Sequence, residues 1–368
     1  MIDFRYHLVS LISVFLALAV GIILGAGPLQ NAIGDQLTDQ VEALRTERTA
    51  LRDSLGETEA ELADQQAYAL AAGAELVDGS LEDLSVAVVD VDGIAETLEL
   101  DVVNQLEAAG ARVVAQSSMT DSWSTVDDSV LRDTVADGQR GQLEDMVPED
   151  ATTPQVLGTV LGVALTEGDD QVPGTRSDRA VELYQLLAQV GLVDSRFAPS
   201  APADAVLLLT AGPPEENGAS TSETPEVGED VDVASTVTAV QAVAGTVVVA
   251  GPTATDGDLL AELRAVEDVT ASTSTVSGIE QEVMRMNVPL AIAAQDDDQV
   301  GHYGFEEGAQ VIPPVVRTPP AEDDAEGTGD GTTDATEDSA DGADGADGAD
   351  GAAAPDDASA DADSTQDS

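Results

Sequence analysis

Two carboxylates close a short apolar run. Val88-Val89-Asp90-Val91-Asp92-Gly93 sets Asp90 and Asp92 two positions apart, just before a glycine. A second candidate is His302-Tyr303-Gly304, which follows the acidic turn Asp296-Asp297-Asp298. One imidazole among carboxylates suits a hard cation better than copper. Met284 and Met286 offer soft thioethers, but a spacing of two shares a face on a strand and not on a helix. Residues 279–293 carry a helical pattern, so core packing is the expected role of both methionines. Trp123 reads as a packing or surface residue. The chain holds two His, and His7 lies at a membrane face, so no Ser-His-Asp set can be assembled. There is no Cys, which removes disulfides, thiolate chemistry and Cys-ligated metals. The phosphate-cradling patterns GxGxxG and GxxxxGK[ST] are absent.

The Asp90-Val91-Asp92-Gly93 run resembles the start of a phosphatase of the haloacid-dehalogenase type. That resemblance implies Asp90 as nucleophile, Asp92 as acid and base, and magnesium between them. Three features depart from the pattern. Ile94 stands where the family has Thr or Val; no Lys exists to restrain a phosphoaspartate, nor does any Arg stand in a recognisable motif; and the inferred compartment supplies no phosphometabolites. Asp90 and Asp92 are therefore read as acidic residues of an ordinary turn between a strand and a helix, and no catalytic residue is expected.

Composition sets the wider limits. The 368 residues carry a formal net charge of -59, and all 13 basic residues are Arg. Without a basic patch the chain is no nucleic-acid binder, nor is it built to dock on anionic lipid headgroups. Aromatics make up 2% of a chain that is 42% hydrophobic, so the core must be built from Val, Leu, Ile and Ala.

The elements that must position these residues begin at the membrane. Residues 8–29 (LVSLISVFLALAVGIILGAGPL) hold no charge and have about the 20 residues that a bilayer-spanning helix needs. Arg5 and His7 precede them, and no Lys or Arg follows until Arg45. The positive-inside rule puts residues 1–7 in the cytoplasm and the bulk of the chain outside. A cleaved signal peptide is the rival, with small residues at Gly25-Ala26-Gly27. The apolar run, however, exceeds the roughly 7–15 residues of a signal core. A retained single-pass anchor is expected. Gly21 and Gly25 form a GxxxG pattern that could pack two anchors together.

Beyond the anchor, apolar residues recur in alternating steps of four and three: Leu37, Val41, Leu44, Leu51, Leu55, Leu62, Ala69, Ala72 and Leu76. Arg48, Thr58 and Gln65 occupy the intervening seam positions. This period predicts a coiled coil over 35–77, a rod of roughly 60 Å, weakened at Gly56 and Gly73. The seam calls for a homo-oligomer or an envelope partner; the alternative is a helix folded back on the globular part.

After Gly79 the pattern becomes α/β. Ser85 to Val89 and Ala111 to Gln116 read as strands around a helix from Ile94 to Ala109 that ends at Gly110. Ala205 to Thr210 and Thr246 to Ala250 are further strands. Helices are expected around Leu183 to Val190, Val231 to Val243 and Asp258 to Val266. Continuous Val and Leu strands alternating with helices predict a mostly parallel, Rossmann-like sheet covered on both faces, over 80–317. Residues 120–175 are ambiguous, with Leu143 to Met146 and Val156 to Leu165 helical or irregular. Residues 213–230 read as a mobile acidic loop, and 318–368, with its DGA repeats, as a disordered acidic tail without a specific calcium site.

The opening MIDFRYHLVSLISVFLALAVGIILGAGPLQ resembles the actinobacterial copper transporter family of the MctB type. It matches at His7, Ser10, Val14 to Ala19, Gly21 and Leu24-Gly25. The likeness continues through the Leu-rich stalk, the strand near 85–90 and Gly301-His302-Tyr303-Gly304. It implies a non-enzymatic envelope protein of copper transport or homeostasis, and copper is expected only by this resemblance. Some related proteins resemble membrane-bound coiled-coil partners of a second envelope protein, controlling a peptidoglycan hydrolase in cell separation. No ligand set carries over residue by residue.

Overall fold

In the computed structural model, the described residues are 4–26, 28–143, 145–212, 233–254 and 258–316, with the side chains of 26–35 excepted. The acidic loop 213–230 and the tail 318–368 lie outside them.

The first helix, α1 (Phe4–Ala26), begins four residues before the apolar run and takes in Arg5 and His7. Its apolar span is Phe4–Gly25, 22 residues, about 33 Å at 1.5 Å per residue, which matches a hydrocarbon core of about 30 Å. Within it the Ser13 hydroxyl donates to the Val9 carbonyl at 2.8 Å, which satisfies it without a partner outside the helix.

Helix α2 (Pro28–Val77) runs 50 residues, about 75 Å, longer than the 35–77 expected. Its seam is open: Leu37, Leu44, Leu51, Leu55 and Leu62 are each more than half exposed. Thr58 donates its hydroxyl to the Ser54 carbonyl at 2.8 Å, so this polar seam position is satisfied inside its own helix. Only the end of α2 meets the globular part, through half-buried Leu70, Gly73 and buried Val77. Those positions sit one residue on from the seam at Ala69, Ala72 and Leu76, and hence on a neighbouring face. Gly73, expected as a weak point, is a contact: a Cβ there would strike the Met286 thioether.

The globular part alternates strands and helices: β1 (Ser85–Asp90), α3 (Glu96–Ala108), β2 (Arg112–Met119), α4 (Ser129–Arg140) and α5 (Thr153–Thr166). A small hairpin of β3 (Gly168–Asp169) and β4 (Val172–Arg176) leads to α6 (Asp178–Gln189) and β5 (Val193–Phe197). Then come β6 (Ala205–Leu209), α7 (Val233–Ala244), β7 (Thr246–Ala250), α8 (Leu259–Ala265), α9 (Glu267–Ser272) and β8 (Ser274–Val276). The described part closes with α10 (Glu282–Arg285), α11 (Asn287–Asp296) and β9 (His302–Tyr303). The main sheet has the order β5-β2-β1-β6-β7-β8-β9. All its neighbours are parallel except β5, which pairs antiparallel with β2 at the edge. The mostly parallel α/β sheet expected from the Val-rich runs is thus present.

Strands β1, β6 and β7 are buried along their whole length, as a sheet covered on both faces requires. Alternation splits the core in two. Ala87 and Val89 face a layer built on α5, α6 and α7. Val86 and Val88 face α3, α11, Val77 and Leu81. Helix α5 resolves the ambiguous 120–175 stretch. It is apolar on every side because it lies under α4, α6 and α7, so no amphipathic period marks it. Gly158 and Gly162 let α7 approach; a Cβ at Gly158 would stand 2.6 Å from the Thr236 carbonyl oxygen and 2.9 Å from Ala239 Cβ. Of the stretch read as helical or irregular at 143–146, the described residues are irregular: Leu143 lies in a bend and Asp145 and Met146 in a turn.

Candidate functional site

The strand order reverses at β1, with β2 on one side and β6 on the other. In open α/β sheets, ligands bind beyond the carboxyl ends of the strands at such a point. A cleft of about 620 Å³ lies there. Its floor is the ends of β1 and β2 and its walls are the starts of α5, α7 and α8.

Asp90 and Asp92 both line it, but each is committed to the backbone or to a neighbouring loop. Asp90 Oδ1 accepts from the Gly93 and Ile94 amides at 2.8 and 3.0 Å. This folds the turn into α3, and Gly93 takes a φ of 89° that only glycine adopts freely. Asp92 accepts from the Thr210 hydroxyl at 2.6 Å and the Ala211 amide at 2.5 Å, tying the end of β1 to the end of β6. Burial pushes the Asp92 carboxyl up, against those two bonds, and the nearby Asp90 adds to the rise. The turn role expected of the pair is what the geometry supports.

Sequence reasoning missed Arg132. It sits on α4, which the sequence left ambiguous, and is 5% exposed. Its Nη1 donates to the Ser122 and Thr125 carbonyls at 2.8 and 2.7 Å, and it lines the cleft. Trp123 is buried beside it, with Nε1 donating to the Leu192 carbonyl at 2.5 Å. An arginine in so acidic a chain was the available signal, but nothing local said that it faced inward.

His302 stands elsewhere, on edge strand β9. Its Nδ1 lies 2.9 Å from the Thr275 hydroxyl, which also accepts from Arg264 Nε at 2.9 Å. Arg264 Nη2 donates to Ser277 Oγ at 3.2 Å and the Tyr303 carbonyl at 3.1 Å, and its Nη1 meets Glu306 at 3.5 Å. Burial, then the Arg264 charge, push the His302 imidazole down. Burial opposes ionisation of Glu306. Bonds from Ser277 and the Ala254 amide, with the Arg264 charge, outweigh it and hold this carboxyl below its ordinary range. A Cβ at Gly301 would strike the Tyr303 ring, and one at Gly304 would strike Glu306 and Ser277. The Gly-His-Tyr-Gly run is therefore a clasp that fastens β9 to β8.

Asp296 to Asp298 do not join His302: Asp296 meets Thr246 at 3.4 Å and Asp297 accepts from Gln299 at 2.7 Å. Met284 is buried with Asn287 Nδ2 3.8 Å from its sulfur, while Met286 packs on Gly73. Among the described residues, no three His, Cys, Asp or Glu side chains converge as metal ligands. The anchor residues Arg5, His7, Gly21 and Gly25 are exposed on the isolated chain, and a Cβ at either glycine would meet nothing within 4 Å. The seam residues Leu37, Val41, Leu44, Arg48, Leu51, Leu55 and Leu62 are likewise exposed. The structure brings neither set to the cleft.

Known proteins are similar along nearly the whole of this architecture. The protein named "Copper transporter MctB" of Mycobacterium tuberculosis is 25% identical over 320 residues, covering 85% of this chain and 99% of that relative. The protein of the same name from Mycobacterium bovis matches to the same extent. A family model described as "Copper transport outer membrane protein, MctB" matches residues 1–314, from the apolar helix through the β9 clasp, and the chain belongs to that family.

Proposed function

We propose that this protein is a single-pass, membrane-anchored envelope component of copper transport or homeostasis, without enzymatic activity. The observation behind this reading is the family match over 1–314, which takes in anchor, stalk and globular part together. Copper is the transported substrate, not a resident cofactor. The flanking charges support an N-terminus in the cytoplasm and the bulk of the chain outside. Among the described residues one helix is long and apolar enough to cross a membrane, a single helix encloses no pore, and the main sheet ends in separate edges at β5 and β9 instead of closing on itself. The protein therefore acts within an assembly. Deleting the gene and measuring cellular copper and copper tolerance tests this. Altered copper content is expected; unchanged values would overturn the reading.

A second reading rests on the exposed seam of α2. A Leu stripe in water is costly, and burying each Leu contributes about 1.5–3 kcal/mol. Residues 35–77 then form a coiled coil that pairs with another copy or with an envelope partner. The domain of 80–317 is displayed on it as a scaffold controlling a peptidoglycan hydrolase. Affinity capture from membranes, with sedimentation of the purified protein, tests this. A monomer that brings down no envelope partner would end it.

A further inference from the structure

Two buried, opposite charges share the cleft at the end of β1 and do not pair with each other. Arg132 is 5% exposed and Asp90 is 9% exposed. The atoms that each leaves unspent are not among the sealed-off polar atoms of the described residues; they open to the cleft, where a charged ligand can reach them. Arg132 spends only Nη1, on two backbone carbonyls. Among the described residues its Nε and Nη2 meet no acceptor and no carboxylate lies within ion-pair distance of it. Asp90 spends only Oδ1, on two amides; its Oδ2 has no donor there. Both residues line one space of about 620 Å³, a volume typical of small-molecule sites, about 300–1,000 Å³.

We infer that this cleft binds a small zwitterion of the α-amino acid class, its carboxylate on Arg132 and its ammonium on Asp90. The rest of the lining favours this ligand over other ions. Asp92 and the exposed carboxylates of Asp121, Asp194 and Glu262 stand at the same cleft and repel a polyanion such as a phosphate ester. A buried guanidinium in turn disfavours a bare metal cation. Trp123 and Leu157 give an apolar wall for an aliphatic side chain. The inference rests on neither copper transport nor stalk pairing, and its failure leaves both readings standing.

The test is isothermal titration of the full-length protein in detergent with glycine, L-alanine, L-leucine and D-alanine, one at a time. At least one should bind with a Kd in the micromolar to millimolar range. Its N-acetyl and its carboxamide derivatives, each lacking one charge, should bind at least about tenfold more weakly, a change of about 1.4 kcal/mol. Asp90→Asn keeps an oxygen for the Gly93 and Ile94 amides and should weaken binding by a similar factor without lowering Tm. Heat from none of the four, equal affinity for the capped derivatives, or unchanged affinity in D90N would each overturn the inference. The derivative series uses the unaltered chain, so the test stands even if a variant does not fold.

Discussion

Single residues here have roles that their local sequence does not announce. Gly158 lies inside α5, where replacing glycine by alanine ordinarily stabilises a helix by about 1 kcal/mol. Here the new Cβ would meet the Thr236 carbonyl oxygen at 2.6 Å, so backbone must move. Gly158→Ala should therefore destabilise the fold by about 1–3 kcal/mol in urea unfolding. Gly56, with nothing within 4 Å, should respond to alanine in the opposite direction. Arg264 holds Thr275, Ser277, Glu306 and the Tyr303 carbonyl together. Arg264→Met strips these charge-assisted bonds and should cost about 2–3 kcal/mol by the same measurement. His302 adds a pH dependence. Its imidazole is pushed down in the folded state, so the unfolded chain binds the proton more readily. The stability linked to His302 is complete above its unfolded pKa of about 6.5 and is lost as pH falls toward the folded value. His302→Gln should flatten Tm against pH from about 7 down to 5, and identical slopes in the two proteins would rule this linkage out.

At the scale of elements, α2 does two jobs on two faces. Its last turns dock through Gly73 and Val77, and its seam from Leu37 to Leu62 stays exposed. If the proposed coiled coil pairs two copies, replacing Leu44, Leu51 and Leu55 together by Ser should leave the near-UV signal of the domain unchanged and abolish that self-association in sedimentation. Retained association would place the contact elsewhere, with the Gly21 and Gly25 face of α1 the next surface to alter. The heptads, the apolar anchor and the central strands were legible because each depends on a short-range period. Helix α5 was not, since a helix buried on all sides has no period to display. Strands β8 and β9 are two or three residues long and leave no pattern of their own. They exist because Arg264, Glu306 and two glycines hold them in register.

For the whole molecule, the two cores draw their residues from between Val77 and Tyr303. Removing residues 319–368 should therefore leave the urea midpoint unchanged, and a large shift would show that the tail contributes to folding. The sequence by itself determined the apolar N-terminal helix, the long helix after it and the mostly parallel α/β class, because hydrophobic period and length are local properties that survive any tertiary arrangement. It also determined family membership, through the run from His7 to Gly25 and the clasp at 301–304. Only the tertiary structure decided that Asp92 ties the end of β1 to the end of β6, that the clasp locks an edge strand, and that Arg132 lines a cleft with Asp90. Those outcomes depend on distances between residues far apart in the chain, such as Asp92 with Thr210 and Arg264 with Glu306. Close packing fixes such distances only once the sheet order is set.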